Sequence, residues 1–205
     1  MPYNPDIHHR RSIRLRNYDY AQAGAYFVTI CVQGRECLFG EITNRVMRLH
    51  DAGNIVAEQW IKTGDIRDTV ELDAWTVMPN HFHGIIVLID TARRGTARRA
   101  PTCRAPTTER FGKPVSGSLP TIVRAFKSAA TKNVNILRNT PGNKLWQPNY
   151  WEHIIRNETE LQRIREYIHN NPTRWHEDAL HPDQPPFPGE TRESSPPYGH
   201  EAWVV

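Results

Sequence analysis

The chain has 205 residues, 38% hydrophobic and 23% charged, enough for one domain with a buried core plus appendages. A formal net charge of +4 and a pI near 9.1 lean towards polyanionic partners without identifying one. No apolar run approaches a membrane span, and MPYNPDIHHRR lacks a signal-peptide core. Cys31, Cys37 and Cys103 form no C-x-x-C, which argues against a disulfide scaffold and a structural zinc site; a reduced, cytoplasmic protein is expected.

In chain order, residues 1–24 read as a basic arm, in which HHRRSIRLRNYDY mixes arginines with aromatics. AYFVTICVQ, Ala25 to Gln33, is β-branched and aromatic and predicts a strand. LHDAGNIVAEQWIK sets Leu49, Ala52, Val56 and Trp60 at helical spacing. ELDAWTVM predicts a second strand, turned at Pro79-Asn80 into a third, HFHGIIVLI, so that the two form a hairpin. Thr91 to Gly117 is rich in Arg, Thr, Pro and Ala with few large apolar residues, the composition of a flexible insertion. A helix is expected from Ser118, a candidate N-cap, with Pro120 in its first turn and Ile122, Val123, Phe126, Ala130 and Val134 on its buried side. KLWQPNYWEHII predicts a fourth strand interrupted at Pro148. Thr159 to Asn170 predicts a last helix striped by Leu161, Ile164 and Ile168, ending before Pro172. Residues 176–205 read as a Pro-rich polar tail. This order suits an α+β fold, close to ferredoxin-like or RNA-recognition-motif arrangements: an antiparallel sheet with helices packed on one face and the other open to a ligand.

Strand side chains alternate faces, so His81 and His83 point one way and Asn80 and Phe82 the other. Such a pair can hold a divalent ion if a third ligand arrives from elsewhere; the plainer reading is two hydrogen-bonded histidines on a half-buried strand. Tyr167 lies beside the last helix's apolar stripe, with Arg163 and Asn171 one turn to either side. Alone it reads as a boundary tyrosine, its ring packed and its hydroxyl wet. Together these residues allow a phosphodiester to be attacked by a tyrosine hydroxyl, with an imidazole-held metal polarising the phosphoryl group and Asn171 supplying an oxygen ligand. The phenol's ordinary pKa of about 10 means such an attack needs assistance. No G-x-x-x-x-G-K-[ST] is present, so no nucleotide cofactor is expected.

MPNHFHGII, LWQPNYWEHIIRNETEL and IREYIHNNPTRW resemble the signature blocks of the single-tyrosine HUH transposases, most closely the REP-associated tyrosine transposases. RRSIRLRNYDYAQAGAYFVTICVQGRECLFGEI extends the resemblance towards the N-terminus, so that it spans about Arg10 to Trp175. It implies a ferredoxin-like catalytic domain over 25–175 that cleaves and rejoins single-stranded DNA through a 5′-phosphotyrosine. His81 and His83 then match the HUH pair, Tyr167 the nucleophile, and Asn171 the residue completing a Mg2+ or Mn2+ site. The implied target is the hairpin of a short palindromic repeat, cut in its single-stranded flank. The implied assembly is a monomer, dimers being the arrangement in the wider family. The Arg-rich insertion at 91–117 and the tail depart from the compact pattern.

DNA contact is expected from the basic arm (Arg10, Arg11, Arg14, Arg16), from Arg124 and Lys127 on the polar side of the second helix, and from Arg163. Trp146, with Tyr150 and Trp151, is a candidate for stacking on unpaired bases, although strand aromatics also build cores. Arginines 93, 94, 98, 99 and 104 would add sequence-independent attraction, or serve only solubility. Two rival readings use the same residues: a non-catalytic hairpin-binding regulator, and an RNA nuclease whose nucleophile is metal-bound water.

Overall fold

The computed structural model describes residues 18–90 and 115–184. The expectations for Arg10, Arg11, Arg14 and Arg16, and for the arginines between 93 and 104, lie outside the described residues. Strands β1 (Gly24–Cys31), β2 (Gly40–Thr43) and β3 (Val46–Leu49) lead into helix α1 (Asp51–Asp65). Strands β4 (Val70–Val77) and β5 (His81–Leu88) follow, then α2 (Leu119–Arg138), β6 (Trp151–Ile155) and α3 (Glu158–Asn170). A 3₁₀ segment, Asn171–Glu177, runs straight on from α3.

β1, β4, β5 and β6 form one sheet in the order β4-β5-β1-β6, with every neighbouring pair antiparallel. This is the α+β antiparallel fold that the element order predicts. β4 and β5 make the expected hairpin, closed where Met78 N–H donates to the His81 carbonyl at 2.9 Å. The period-2 alternation sorts the side chains into two layers. Tyr26, Val28 and Ile30 of β1 and Phe82 and Ile86 of β5 join the larger core with Val56 and Trp60 of α1 and Ile122, Val123, Phe126, Ala130 and Val134 of α2. Phe27 and Ile85, one residue out of phase, form a second cluster with Ile155 and with Ile164 and Ile168 of α3. The two long helices therefore share one face, as expected, while α3 covers part of the face that the sequence left open. That placement carries the last helix to the histidine side of the sheet.

Two local features position α3. Asn157 caps it, its Oδ1 accepting from Glu160 N–H at 2.8 Å, and Glu158 and Glu160 in the first turn suit the helix dipole. Arg165 reaches Asp73 of β4 in a bidentate pair, Nε to Oδ1 at 2.9 Å and a terminal nitrogen to Oδ2 at 2.6 Å. Asp73 sits at the register irregularity between Leu72 and Trp75, where a bulge re-aims the strand.

The β2–β3 hairpin, absent from the sequence reading, forms its own two-stranded sheet. The expected fourth strand is shorter than KLWQPNYWEHII: before Trp151, only Trp146 pairs, in a single bridge to Val32. Ser118 stands at the N-cap of α2, but its hydroxyl donates to the Val115 carbonyl at 2.7 Å and accepts no helix N–H. Among the described residues, no helix is long and apolar enough to cross a membrane.

Candidate active site

His81 and His83 are fully buried on the α3 side of β5. In register, His83 lies opposite Thr29 of β1 and His81 opposite Cys31. The two Nε2 atoms face each other at 3.0 Å, and each ring's Nδ1 has its own partner. His81 Nδ1 lies 2.8 Å from Asn80 Oδ1, and His83 Nδ1 lies 2.8 Å from Thr29 Oγ1. Asn80 Nδ2 donates to the carbonyls of Leu180 (2.7 Å) and Arg35 (3.3 Å), which leaves its Oδ1 as an acceptor. His81 must therefore carry its proton on Nδ1 and present an Nε2 lone pair to the site. Thr29 is more permissive, because a hydroxyl both donates and accepts. Donating to Nδ1, it leaves the His83 proton on Nε2, pointing at His81; accepting from Nδ1–H, it frees the Nε2 lone pair beside that of His81. Thr29 thus permits both tautomers of His83, and only the second offers paired nitrogen ligands.

Burial pushes His81 down to about 3, with the nearby Arg35 charge adding to the effect. His83 is lowered as well, by burial and by His81, against an opposing pull from Asp178. Both rings are neutral at physiological pH, so protons do not compete with a cation for the nitrogens.

Tyr167 of α3 enters the same group, its hydroxyl 3.4 Å from His83 Nε2 and its ring edge-on to both His83 and Phe27. Burial raises the phenol well above its ordinary pKa and the Asp178 charge adds to this, while a hydrogen bond from Asn171 works against it. Asn171, 4% exposed, donates from Nδ2 to Asp178 Oδ2 at 3.1 Å. Its own Oδ1 is buried with no hydrogen-bond partner, an arrangement that is destabilising unless something binds there. Asp178 Oδ2 is 3.8 Å from His81 Nε2, and one ligand atom each from His81, His83 and Asp178 lie within 4.8 Å of one another.

Two neutral imidazole nitrogens, a carboxylate and an orphaned amide oxygen suit a divalent cation with mixed nitrogen and oxygen preference. The orphaned Asn171 Oδ1 is the feature of this fold that such a cation would satisfy. The expected grouping of His81, His83, Tyr167 and Asn171 is thus assembled in one place. Sequence reading missed Asp178, Thr29 and Asn80. Asp178 falls in the polar stretch read as tail, yet that stretch docks on the site: Leu180 is buried, and its carbonyl binds Asn80.

The DNA-contact candidates fare unevenly. Trp146 is a correction: it is 5% exposed and packed against Phe39 and Phe126, so no base can stack on it. Lys127 is another, since its ammonium donates to the carbonyls of Gln147 (2.6 Å), Asn149 (3.2 Å) and Pro148 (3.3 Å). Burial lowers it to about 8, and it fastens the chain leading into β6 rather than a phosphate. Arg124 is exposed on α2, across the sheet from Tyr167. Arg163 is exposed on α3, one turn before Tyr167.

No family model matches the chain. An uncharacterized protein of Haemophilus influenzae is 43% identical over 185 residues, covering 88% of this chain and 98% of that protein. A second protein of the same organism, assigned to the REP-associated tyrosine transposases, is 25% identical over 162 residues, covering 78% of this chain and 77% of the other. Among solved structures, that of a REP-associated tyrosine transposase bound to a REP hairpin aligns with TM-score 0.49 and 22% identity, over 80% of this chain and 74% of that one. A Deinococcus radiodurans protein assigned as a transposase aligns with TM-score 0.36 and 19% identity, over 78% and 97% of the two chains. The chain and its 43%-identical Haemophilus relative therefore belong to one family, and the 25%-identical protein is the point at which this chain is similar to the REP-associated tyrosine transposases.

Proposed function

We propose that this protein is a metal-dependent endonuclease and strand transferase for single-stranded DNA. It acts by transesterification through Tyr167, on hairpins of palindromic repeat elements. The observation that carries the reading is the Tyr167 hydroxyl 3.4 Å from His83 Nε2, which itself lies 3.0 Å from His81 Nε2, beside Asp178 and the unsatisfied oxygen of Asn171. Similarity to a REP-associated tyrosine transposase supports DNA processing, and the hairpin substrate is what the signature blocks imply.

In the proposed reaction, Tyr167 Oη bonds to phosphorus and the bond to the 3′ oxygen of the neighbouring nucleotide breaks. The phenolic proton is released and the departing 3′ oxygen takes one up. The 5′ phosphate remains esterified to Tyr167, and attack by an incoming 3′-hydroxyl reverses these steps and joins new ends. His81, His83, Asp178 and Asn171 would hold Mn2+ or Mg2+, which when bound supplies Lewis-acid stabilisation of the phosphoryl oxygens and offsets the Asp178 field on the phenol. Asn80 fixes the His81 tautomer, and Thr29, by accepting from Nδ1–H, would support the His83 tautomer that frees Nε2. Phe27 and the Ile164–Ile168 stripe hold the tyrosine ring against the sheet. The histidines and the tyrosine come from one chain, which supports a monomer as the active unit.

Labelled hairpin DNA with a single-stranded flank, incubated with and without Mn2+, tests the proposal on a denaturing gel. The expected result is an SDS-resistant protein–DNA adduct that requires the ion and is lost in Tyr167→Phe. Binding without any adduct would identify a non-catalytic regulator. Cleavage that persists in Tyr167→Phe would identify water as the nucleophile.

A further inference from the structure

The β2–β3 hairpin turns through Asn44 and Arg45, both left-handed, with φ of 53° and 64°. Two consecutive residues of this kind make a type I′ turn, whose second position favours glycine because a Cβ is crowded there. Arginine at that position works against the turn, and a strained residue of this sort points to a use for its side chain.

Arg45 lines a cleft of about 390 Å³. One wall is the hairpin, through Ile42, Asn44 and Arg45, and the other is the outer side of the 3₁₀ segment, through Thr173, Arg174 and His176. Glu177 also lines it and accepts from Arg174 Nε at 3.0 Å, so Arg45 leaves the cleft with a positive balance. The inner side of the same 3₁₀ segment belongs to the active site: Asn171 and Trp175 are buried, and the Trp175 ring lies 5.9 Å from that of His81. One turn of chain therefore separates a nucleotide-sized, cation-lined cleft from the reacting centre.

We propose that this cleft binds the phosphodiester backbone of the single-stranded DNA flank next to the cut position, with Arg45 as its principal phosphate contact. The proposal rests on the DNA-processing reading above and adds the path of the strand. A guanidinium matches a phosphate in geometry and charge, and a contact of this kind carries no sequence information of its own.

Arg45→Gly is a clean test because glycine is the residue the turn prefers. The variant should melt at or above the wild-type temperature, so any loss of binding is not a loss of fold. Binding is read by fluorescence anisotropy with the full chain, on one hairpin carrying a short single-stranded flank and on the same hairpin cut blunt. Expected are about fivefold weaker binding to the flanked hairpin and a log K against log salt slope shallower by about one. The blunt hairpin should bind as before, and Arg45→Lys should retain most of the flanked affinity. Unchanged binding of the flanked hairpin would overturn the proposal, as would an equal loss on the blunt one, which would place Arg45 on duplex. The adduct assay on wild-type protein is independent of this result. A flank-specific loss without any adduct would keep the cleft and remove the tyrosine chemistry, and the converse would do the reverse.

Discussion

Thr29→Val exchanges one hydroxyl for a methyl group at a position 1% exposed, with side-chain volume nearly kept. Two consequences separate. Loss of the 2.8 Å hydrogen bond to His83 Nδ1 should lower stability by about 1 kcal/mol, the net worth of a typical buried hydrogen bond. For a domain of this size that is a fall in Tm of about 2–4 °C. The second effect falls on metal binding. Paired Nε2 ligands require His83 to carry its proton on Nδ1, and valine offers that N–H no acceptor. A buried unsatisfied donor costs about 1–3 kcal/mol, which weakens binding roughly 5- to 150-fold. Isothermal titration with Mn2+ measures the affinity, and a thermal melt of the same sample measures the fold. Thr29→Ser keeps the acceptor and should bind Mn2+ close to wild type. If Thr29→Val bound Mn2+ within twofold of wild type, the tautomer argument would be refuted whatever the melting temperature.

Asp73→Asn should destabilise the protein by about 1 kcal/mol, a modest figure because the pair is partly exposed. The hydrogen bond from Arg165 holds the Asp73 carboxyl below its usual range. Its contribution is therefore complete above the ordinary carboxylate pKa and lost as pH falls through the lowered value. Urea unfolding should show the full gap between wild type and variant at about pH 7, shrinking as pH is lowered below the ordinary carboxylate range; a gap independent of pH would contradict the assignment. Gly84→Ala would place a Cβ 2.6 Å from Trp60 Cζ2 and 2.9 Å from Phe82 Cε1, two rings fully buried in the core. A loss of about 1–3 kcal/mol is expected, and an unchanged melt would show that the rings can give way.

The main strands and helices were legible because their patterns are long and agree with their flanks. Phe82 and the His81–His83 pair fall on opposite faces as alternation requires, and every apolar residue assigned to the α2 stripe is buried. The β2–β3 hairpin escaped because its strands are four residues each and its turn reads Asn-Arg, without the glycine that marks a primed turn. Lys127 looks like a phosphate contact on a helical wheel; the three carbonyls that capture it come from residues 147–149, a pairing no local pattern encodes. Trp146 likewise sits among polar and proline residues, and only the tertiary approach of Phe39 and Phe126 buries it. The site divides in the same way. His81, His83, Tyr167 and Asn171 carry their spacing in the sequence. Asp178 reaches them through a 3₁₀ segment interrupted at Arg174, which has no period to read.

The central claim is that the Tyr167 oxygen becomes bonded to DNA phosphorus. Wild-type protein incubated with flanked hairpin DNA and Mn2+, then digested with protease and nuclease, should yield one modified peptide. Mass spectrometry should place the nucleotide on Tyr167, as a 5′-phosphate ester, with a free 3′-hydroxyl on the released strand. A nucleotide found on another residue, or cleaved DNA with unmodified Tyr167, would contradict the account.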